Sequence, residues 1–408
     1  MANILNNSIS TPAYVFDEKS FAERVLMTKT ALGDSIPLTF SIKANPFLLH
    51  ILPDDIAHVE VCSPGELAIC KRMEIAPNRI IYSGVMKEHW DIKEALEYGV
   101  DIITAESQSQ FKMICGSADV LEKSVNVLLR LSSGNQFGMD EGAISEIISS
   151  RGFNQGVKII GLHFYSGTQK NKLKKIEKDI SMLSRVLDNL KEKFGYTPYM
   201  VEYGPGLAAE YFVDEEKDCG NNSSIVGSDN ELENLDKDDI ELLSEVTLLL
   251  RVFASKYPLA IEMGRFLASS CGTYYSEVKD IKKNADTTYV ICDGGIHQLK
   301  YYGQMMAMQI PVIRVIRNGK ELTEEGTDAT EYCICGSLCT VADVLVREVK
   351  LPELQVGDVI AFEKCGAYSV TEGAGMFLSR DLPAVCIKHI DKTIELCREQ
   401  LPTNQWNY

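Results

Sequence analysis

Lys43 is the residue in this chain whose setting most invites chemistry. It stands in Leu-Thr-Phe-Ser-Ile-Lys-Ala-Asn-Pro (38–46), where Thr39, Ser41 and Lys43 share one face at strand period and Phe40, Ile42 and Ala44 the other. Most lysines so placed end as solvated strand termini. One held partly desolvated has a lowered pKa, and its amine forms a Schiff base with an aldehyde. Glu262, in Leu-Ala-Ile-Glu-Met-Gly-Arg (259–265), shares a face with Ala260 and Gly264. A carboxylate buried there is costly unless it is paired or used. Gly204-Pro205-Gly206 reads as an ordinary strand-to-helix turn, or as a loop whose bare backbone approaches a phosphate. Arg265 could add a charge-assisted bond to that same phosphate.

These residues all sit at the ends of short β-rich runs. The strand candidates are 38–45, 58–63, 79–84, 101–106, 126–131, 158–164, 199–204 and 258–264. Amphipathic stretches such as 64–73, 89–98, 173–194 and 240–256 lie between them. Eight strand–helix units in succession predict a (β/α)8 TIM barrel over 36–270, with an open doubly wound sheet as the alternative. In a barrel the strand C-termini form the active site, and the loops after strands seven and eight often hold a phosphate. After residue 270 short strands separated by turns (287–292, 310–317, 331–335, 359–362 and 384–388) predict a C-terminal all-β domain over 271–408, to which residues 1–35 contribute, Thr-Pro-Ala-Tyr-Val-Phe as a strand.

Composition narrows the classes. With 45% hydrophobic and 24% charged residues the chain is globular. A formal charge of −17 argues against nucleic acid or an anionic membrane as partner. No apolar run of membrane-spanning length occurs, and Met-Ala-Asn-Ile-Leu-Asn-Asn-Ser does not read as a secretory signal. The twelve cysteines fall singly in predicted elements, which predicts a reduced, cytoplasmic protein. Between Asp214 and Glu241 eleven acidic and two basic residues predict a solvated surface insertion.

A lysine for an aldehyde, a phosphate cradle and a buried carboxylate together point to pyridoxal 5'-phosphate (PLP), with no metal. At this point the chain resembles the PLP-dependent decarboxylases with an alanine-racemase-like barrel, the diaminopimelate and ornithine decarboxylase family. The resemblance rests on nine motifs in order: FSIKANP, VEVCSPGEL, QFGMD, GLHFYSGTQ, EYGPGL, EMGR, CDGG, CGSLCTVAD and GAYSV. It implies that Lys43 carries the cofactor and that Glu262 pairs with its pyridinium nitrogen. It further implies that Gly204, Gly206, Arg265, Thr168 and Tyr368 hold its phosphate. Cys339 matches the cysteine that reprotonates the carbon after CO2 leaves, supplied by the neighbouring subunit of a homodimer with shared sites. Asp293 and Thr340 fall on the substrate side.

Where the sequence departs from the family pattern, the departures carry information. Tyr165 stands where the family has a histidine against the cofactor ring, and it too can stack. Pro205 replaces the middle glycine of a triple-glycine loop and has no N–H to offer. Thr340 replaces the acid that grips the distal amine of diaminopimelate, and Tyr301 lies near where an arginine is expected. The pattern resembles a branch that decarboxylates an aminoacyl group tethered to a carrier protein. The alternatives are a diaminopimelate decarboxylase making lysine, an amino-acid racemase on the same scaffold, and a non-catalytic PLP-binding protein. The Cys339 motif argues against a racemase, and the second domain against a non-catalytic role.

Overall fold

A computed structural model describes residues 10–150, 156–213, 229–322 and 329–407, with backbone alone for 229–235. The chain divides into two compact units. One draws its described residues from Met1–Phe21, Glu210–Asp239 and Ala268–Tyr408, the other from Ala22–Ala209 and Ile240–Leu267.

The chain starts with β1 (Ala13–Asp17) and α1 (Glu18–Leu32), and then enters the barrel. Its strands are β2 (Leu38–Ser41), β3 (Ile56–Val61), β4 (Ile80–Tyr82), β5 (Ile102–Ala105), β6 (Val125–Leu131), β7 (Val157–Tyr165), β8 (Met200–Gly204) and β9 (Leu259–Met263). All pair in parallel, and β2 closes on β9 with Leu38 opposite Ile261, Thr39 opposite Glu262 and Phe40 opposite Met263. Strands of a closed parallel barrel are covered on both faces, so β2, β4, β5 and β9 are buried throughout. The helices between them are α2 (Pro64–Arg72), α3 (His89–Tyr98), α4 (Gln108–Val120), α5 (Glu141–Ser149), α6 (Leu173–Phe194) and α7 (Asp229–Ala254). Their ends follow local chemistry. Ser63 accepts the Glu66 N–H at 3.1 Å and Pro64 opens α2, while α6 stops at Gly195 in the left-handed region.

All eight predicted barrel strands are present, with one correction at the first. Strand β2 ends at Ser41, and Lys43 lies in a 3-10 turn, Ile42–Ala44, rather than on the strand. The Asn45 side chain then caps the Phe47 N–H at 3.1 Å, and Pro46 has no N–H to continue a ladder. A second correction concerns the acidic segment 214–241. Residues 214–228 lie outside the described residues, but the remainder belongs to α7. Asp239 within it is buried and sits 3.6 Å from the buried Lys364 ammonium, so it is an internal ion-pair partner rather than a solvated charge.

After a single turn, α8 (Arg265–Ala268), the other unit is built from β1 and β10 (Gly272–Asn284), β11 (Thr287–Cys292), β12 (Ile313–Arg317), β13 (Lys320–Glu321), β14 (Thr330–Cys335), β15 (Val344–Leu351), β16 (Val359–Phe362), β17 (Ala384–Lys388) and β18 (Ile394–Arg398). The short helix α9 (Ser369–Glu372) precedes β17. The N-terminal strand β1 enters this sheet, antiparallel to β10 and parallel to β17. The core beneath it includes Val15, Tyr275, Ile316, Ala361 and Cys386.

Candidate active site

At the C-terminal ends of the barrel strands, side chains projecting inward at period two meet in a polar cluster. The Lys43 amine is 3.0 Å from Glu60 Oε2, 3.6 Å from Glu262 Oε1 and 3.6 Å from Cys62 Sγ. Glu262 in turn accepts the Ser41 hydroxyl at 2.7 Å and a bond from His163 Nε2 at 2.9 Å. The lysine is about a third exposed, while Glu60, His163 and Glu262 are buried. An amine open to the barrel mouth is thus held from below by fixed carboxylates.

Electrostatics divide the carboxylates. Burial opposes ionisation of Glu262, but the Lys43 ammonium and the His163 and Ser41 hydrogen bonds outweigh it and hold this carboxyl well below the usual range. Glu202, on β8 opposite His163, is fully buried. Burial first, then the charges of Glu262 and Glu60, push it well above the usual value, which favours its protonated form. The Thr39 hydroxyl and the Lys43 charge pull the other way without offsetting that burial. Burial likewise raises the Cys62 thiol, so it stays protonated beside the lysine.

Beside this cluster the loop after β7 meets the loop after β8. Arg265 Nε donates to Thr168 Oγ1 at 3.2 Å, and the Tyr165 ring packs on Gly204, where a Cβ would lie 2.7 Å from ring Cδ2. Gly206 has φ +61°, and a Cβ there would stand 1.9 Å from the Gly167 carbonyl oxygen, so only glycine lets the two loops approach this closely. Lys43, Tyr165, Thr168, Gly204, Gly206, Glu262 and Arg265 are therefore brought to one barrel end. The donor set fits PLP: one primary amine for an aldehyde, an ionised carboxylate for a pyridinium nitrogen, and a guanidinium with a hydroxyl and bare glycine backbone for a phosphate.

Four of the predicted residues lie in the other unit. Asp293 accepts bonds from Thr11 Oγ1 at 2.7 Å, Ser276 Oγ at 2.8 Å and the Glu277 N–H at 2.9 Å. Exposed Cys339 and half-buried Thr340 share a loop tied by buried Asp343, which accepts the Leu338 N–H at 2.7 Å and the Ile296 N–H at 2.8 Å. The CDGG and CGSLC motifs are thereby joined, with the Ser337 N–H on the Gly294 carbonyl at 2.7 Å. Tyr368 has φ +67°, a strained value for a bulky residue, and Ser369 beside it donates to the Lys300 carbonyl. The Tyr301 hydroxyl is buried and committed to the Glu363 carbonyl at 2.6 Å.

Residue reasoning missed His163, Glu202 and Asp343 and passed over Glu60. The signal was within reach: His163 and Glu202 stand two positions before Tyr165 and Gly204, on the same inward register. The QFGMD motif is explained by an internal clamp. The Gly138 N–H donates to Glu106 Oε2 at 3.0 Å, and Glu106 is paired with Arg130 at 2.5 Å.

Known proteins carry the same pattern. A family model described as the pyridoxal-binding domain of pyridoxal-dependent decarboxylases matches residues 18–268. An L-glutamyl-[BtrI acyl-carrier protein] decarboxylase of Niallia circulans is 26% identical, over 97% of this chain and 92% of its own. A diaminopimelate decarboxylase of Bacteroides thetaiotaomicron is 25% identical, over 92% and 95%. The crystal structure of diaminopimelate decarboxylase from M. jannaschii with L-lysine superimposes with a TM-score of 0.77 at 22% identity, covering 96% of this chain and 90% of that one, which shows the shared fold. With the family domain matched over more than half its length, the chain belongs to the pyridoxal-dependent decarboxylases of the diaminopimelate and ornithine decarboxylase family, carbon–carbon lyases that work with PLP.

Proposed function

We propose that this enzyme decarboxylates an aminoacyl group tethered to a carrier protein, as a homodimer with shared sites in the cytoplasm. Lys43 would hold the cofactor aldehyde, Glu262 the pyridinium nitrogen, Tyr165 the ring face, and Thr168, Gly204, Gly206, Arg265 and Tyr368 the phosphate. Bound there, PLP supplies an electron sink for the pair left behind when CO2 departs. Ionised Glu262, fixed by Ser41 and His163, keeps a proton on the ring nitrogen and so sustains that sink. The Cys339 thiol of a second copy of the chain returns a proton to the reacting carbon. Asp293 and Thr340 lie on the substrate side.

The observation that carries the substrate assignment is the neutral character of the positions where the family grips a second charged centre. Among the described residues Thr340 Oγ1 accepts only the Ala342 N–H at 3.3 Å, and the Tyr301 hydroxyl is spent on a backbone carbonyl. A hydroxyl does not neutralise a charge, and a buried unpaired charge costs several kcal/mol. Losing one charge-assisted bond, about 1.5–3 kcal/mol, lowers catalytic efficiency about 10- to 150-fold. The carrier-protein decarboxylase of Niallia circulans makes a glutamyl thioester the first substrate to try.

The test is CO2 release from free meso-diaminopimelate, lysine, ornithine and glutamate against glutamyl and other aminoacyl carrier proteins. The carrier-bound substrates are expected to turn over faster. Free meso-diaminopimelate outpacing every tethered substrate would restore the lysine-forming alternative.

A further inference from the structure

Behind the phosphate-side loops lies a second buried polar cluster that the chemistry above does not use. At its centre is Asp179 of α6, nearly enclosed in the barrel unit. Its carboxylate accepts the Lys170 ammonium at 2.5 Å, the Ser166 hydroxyl at 2.8 and 2.9 Å, and the Tyr203 hydroxyl at 2.9 Å. Lys170 also donates to Ser166 Oγ at 2.6 Å. Among the described residues, the hydrogen-bonding groups that meet the carboxylate come from two short segments. Ser166 and Lys170 bracket Gly167 and Thr168, and Tyr203 immediately precedes Gly204.

The backbone repeats the connection. The Lys170 N–H donates to the Gly206 carbonyl at 2.9 Å, and the Ala208 N–H to the Lys170 carbonyl at 3.2 Å. Gln169 adds a reciprocal pair with Ala209, Nε2 to its carbonyl at 3.0 Å and Oε1 from its N–H at 2.8 Å. One carboxylate on a rigid helix therefore sets the spacing between Thr168 and the Gly204–Gly206 turn. That spacing decides whether hydroxyl, guanidinium and glycine backbone converge on one anion. The cluster is charge-balanced, with burial pulling the lysine pKa down and Asp179 pulling it back. It is thus a neutral brace rather than an anion site of its own.

We propose that Asp179, with Lys170 and Tyr203, is the positioning group for the cofactor's phosphate. It acts through the two loops without touching the ligand. This rests on assigning Thr168, Gly204, Gly206 and Arg265 to that phosphate, and the experiment separates the two claims. The full-length chain is titrated with PLP and with pyridoxal, which has the same ring and aldehyde but no phosphate. Tyr203→Phe and Asp179→Asn should weaken PLP, Asp179→Asn by about 10-fold or more, and leave pyridoxal binding unchanged. Inorganic phosphate should raise the melting temperature of the wild type and not that of Asp179→Asn. Thr168→Val and Arg265→Met test the assignment itself. If they too leave the PLP-to-pyridoxal ratio unchanged, the phosphate lies elsewhere. If they lower it while Asp179→Asn and Tyr203→Phe do not, or if Asp179→Asn weakens both ligands equally, the brace is refuted. Should Asp179→Asn fail to fold, Tyr203→Phe, which removes one hydroxyl from a buried ring, decides alone.

Discussion

Two buried glutamates of the barrel, Glu262 and Glu202, are pushed in opposite directions, and the contrast makes their substitutions diagnostic. Glu262 is held low because a cation and two hydrogen bonds outweigh its burial, whereas Glu202 is pushed up because burial and the charges of Glu262 and Glu60 outweigh the pull of Thr39 and Lys43. Glu262→Gln should lower turnover about 10- to 150-fold, the worth of a charge-assisted bond, while Glu202→Gln, isosteric with the protonated acid, should retain most activity. The two differ in stability as well. A carboxyl whose folded-state pKa is raised holds its proton more tightly when folded, so its contribution is intact below the ordinary value of 4.5 and is lost as pH rises above it. Glu202→Gln should therefore gain stability relative to wild type as pH climbs from 5 to 8, read from urea midpoints. A gap that stays constant over that range would mean that Glu202 is ionised in the fold. At Lys43 the check is covalent: borohydride reduction of the holoenzyme and peptide mapping should place the pyridoxyl group on this residue alone.

At the scale of elements, the site depends on how two strand-end loops touch. The turn after β8 passes so near the loop after β7 that the Gly206 position has neither room nor the right backbone region for a side chain. Gly206→Ala must push the Gly167 carbonyl aside and hold a residue at φ +61°, at a cost above about 1 kcal/mol. The expected outcome is a lower melting temperature together with faster loss of PLP on dialysis. Gly65→Ala, at a position where an added Cβ meets nothing closer than 3.8 Å, is the control and should change neither.

For the whole molecule, the proposed dimer predicts complementation. Lys43 lies in the barrel unit and Cys339 in the β unit. If a second copy supplies Cys339 to each site, chains carrying Lys43→Ala or Cys339→Ala are each inactive. Random pairing of the two gives half hybrids, each with one intact site. Activity should therefore recover to about a quarter of wild type. Proven subunit exchange with no recovery would show that each site is completed within one chain.

Much of this protein is written in local pattern. Eight apolar runs alternating with amphipathic ones specify the barrel because strand and helix periodicities are properties of neighbouring residues. Lys43, Glu262 and the Gly204–Gly206 turn were legible because residue type and strand-end position together limit what they can do. What remained hidden depended on distance across the fold. That Glu262 is pulled below the usual carboxylate range and Glu202 pushed above it follows from which of two similar inward-facing glutamates His163 and Ser41 reach and how the charges around them sum. That Asp239 is buried against Lys364, although it lies in the most acidic stretch of the sequence, required a partner 125 residues away. The brace at Asp179 of α6 gathers Ser166 and Lys170 from the loop after β7 and Tyr203 from β8. Periodicity assigns a residue to a face, but only closure of the barrel decides which faces meet, and with them which charges are paired.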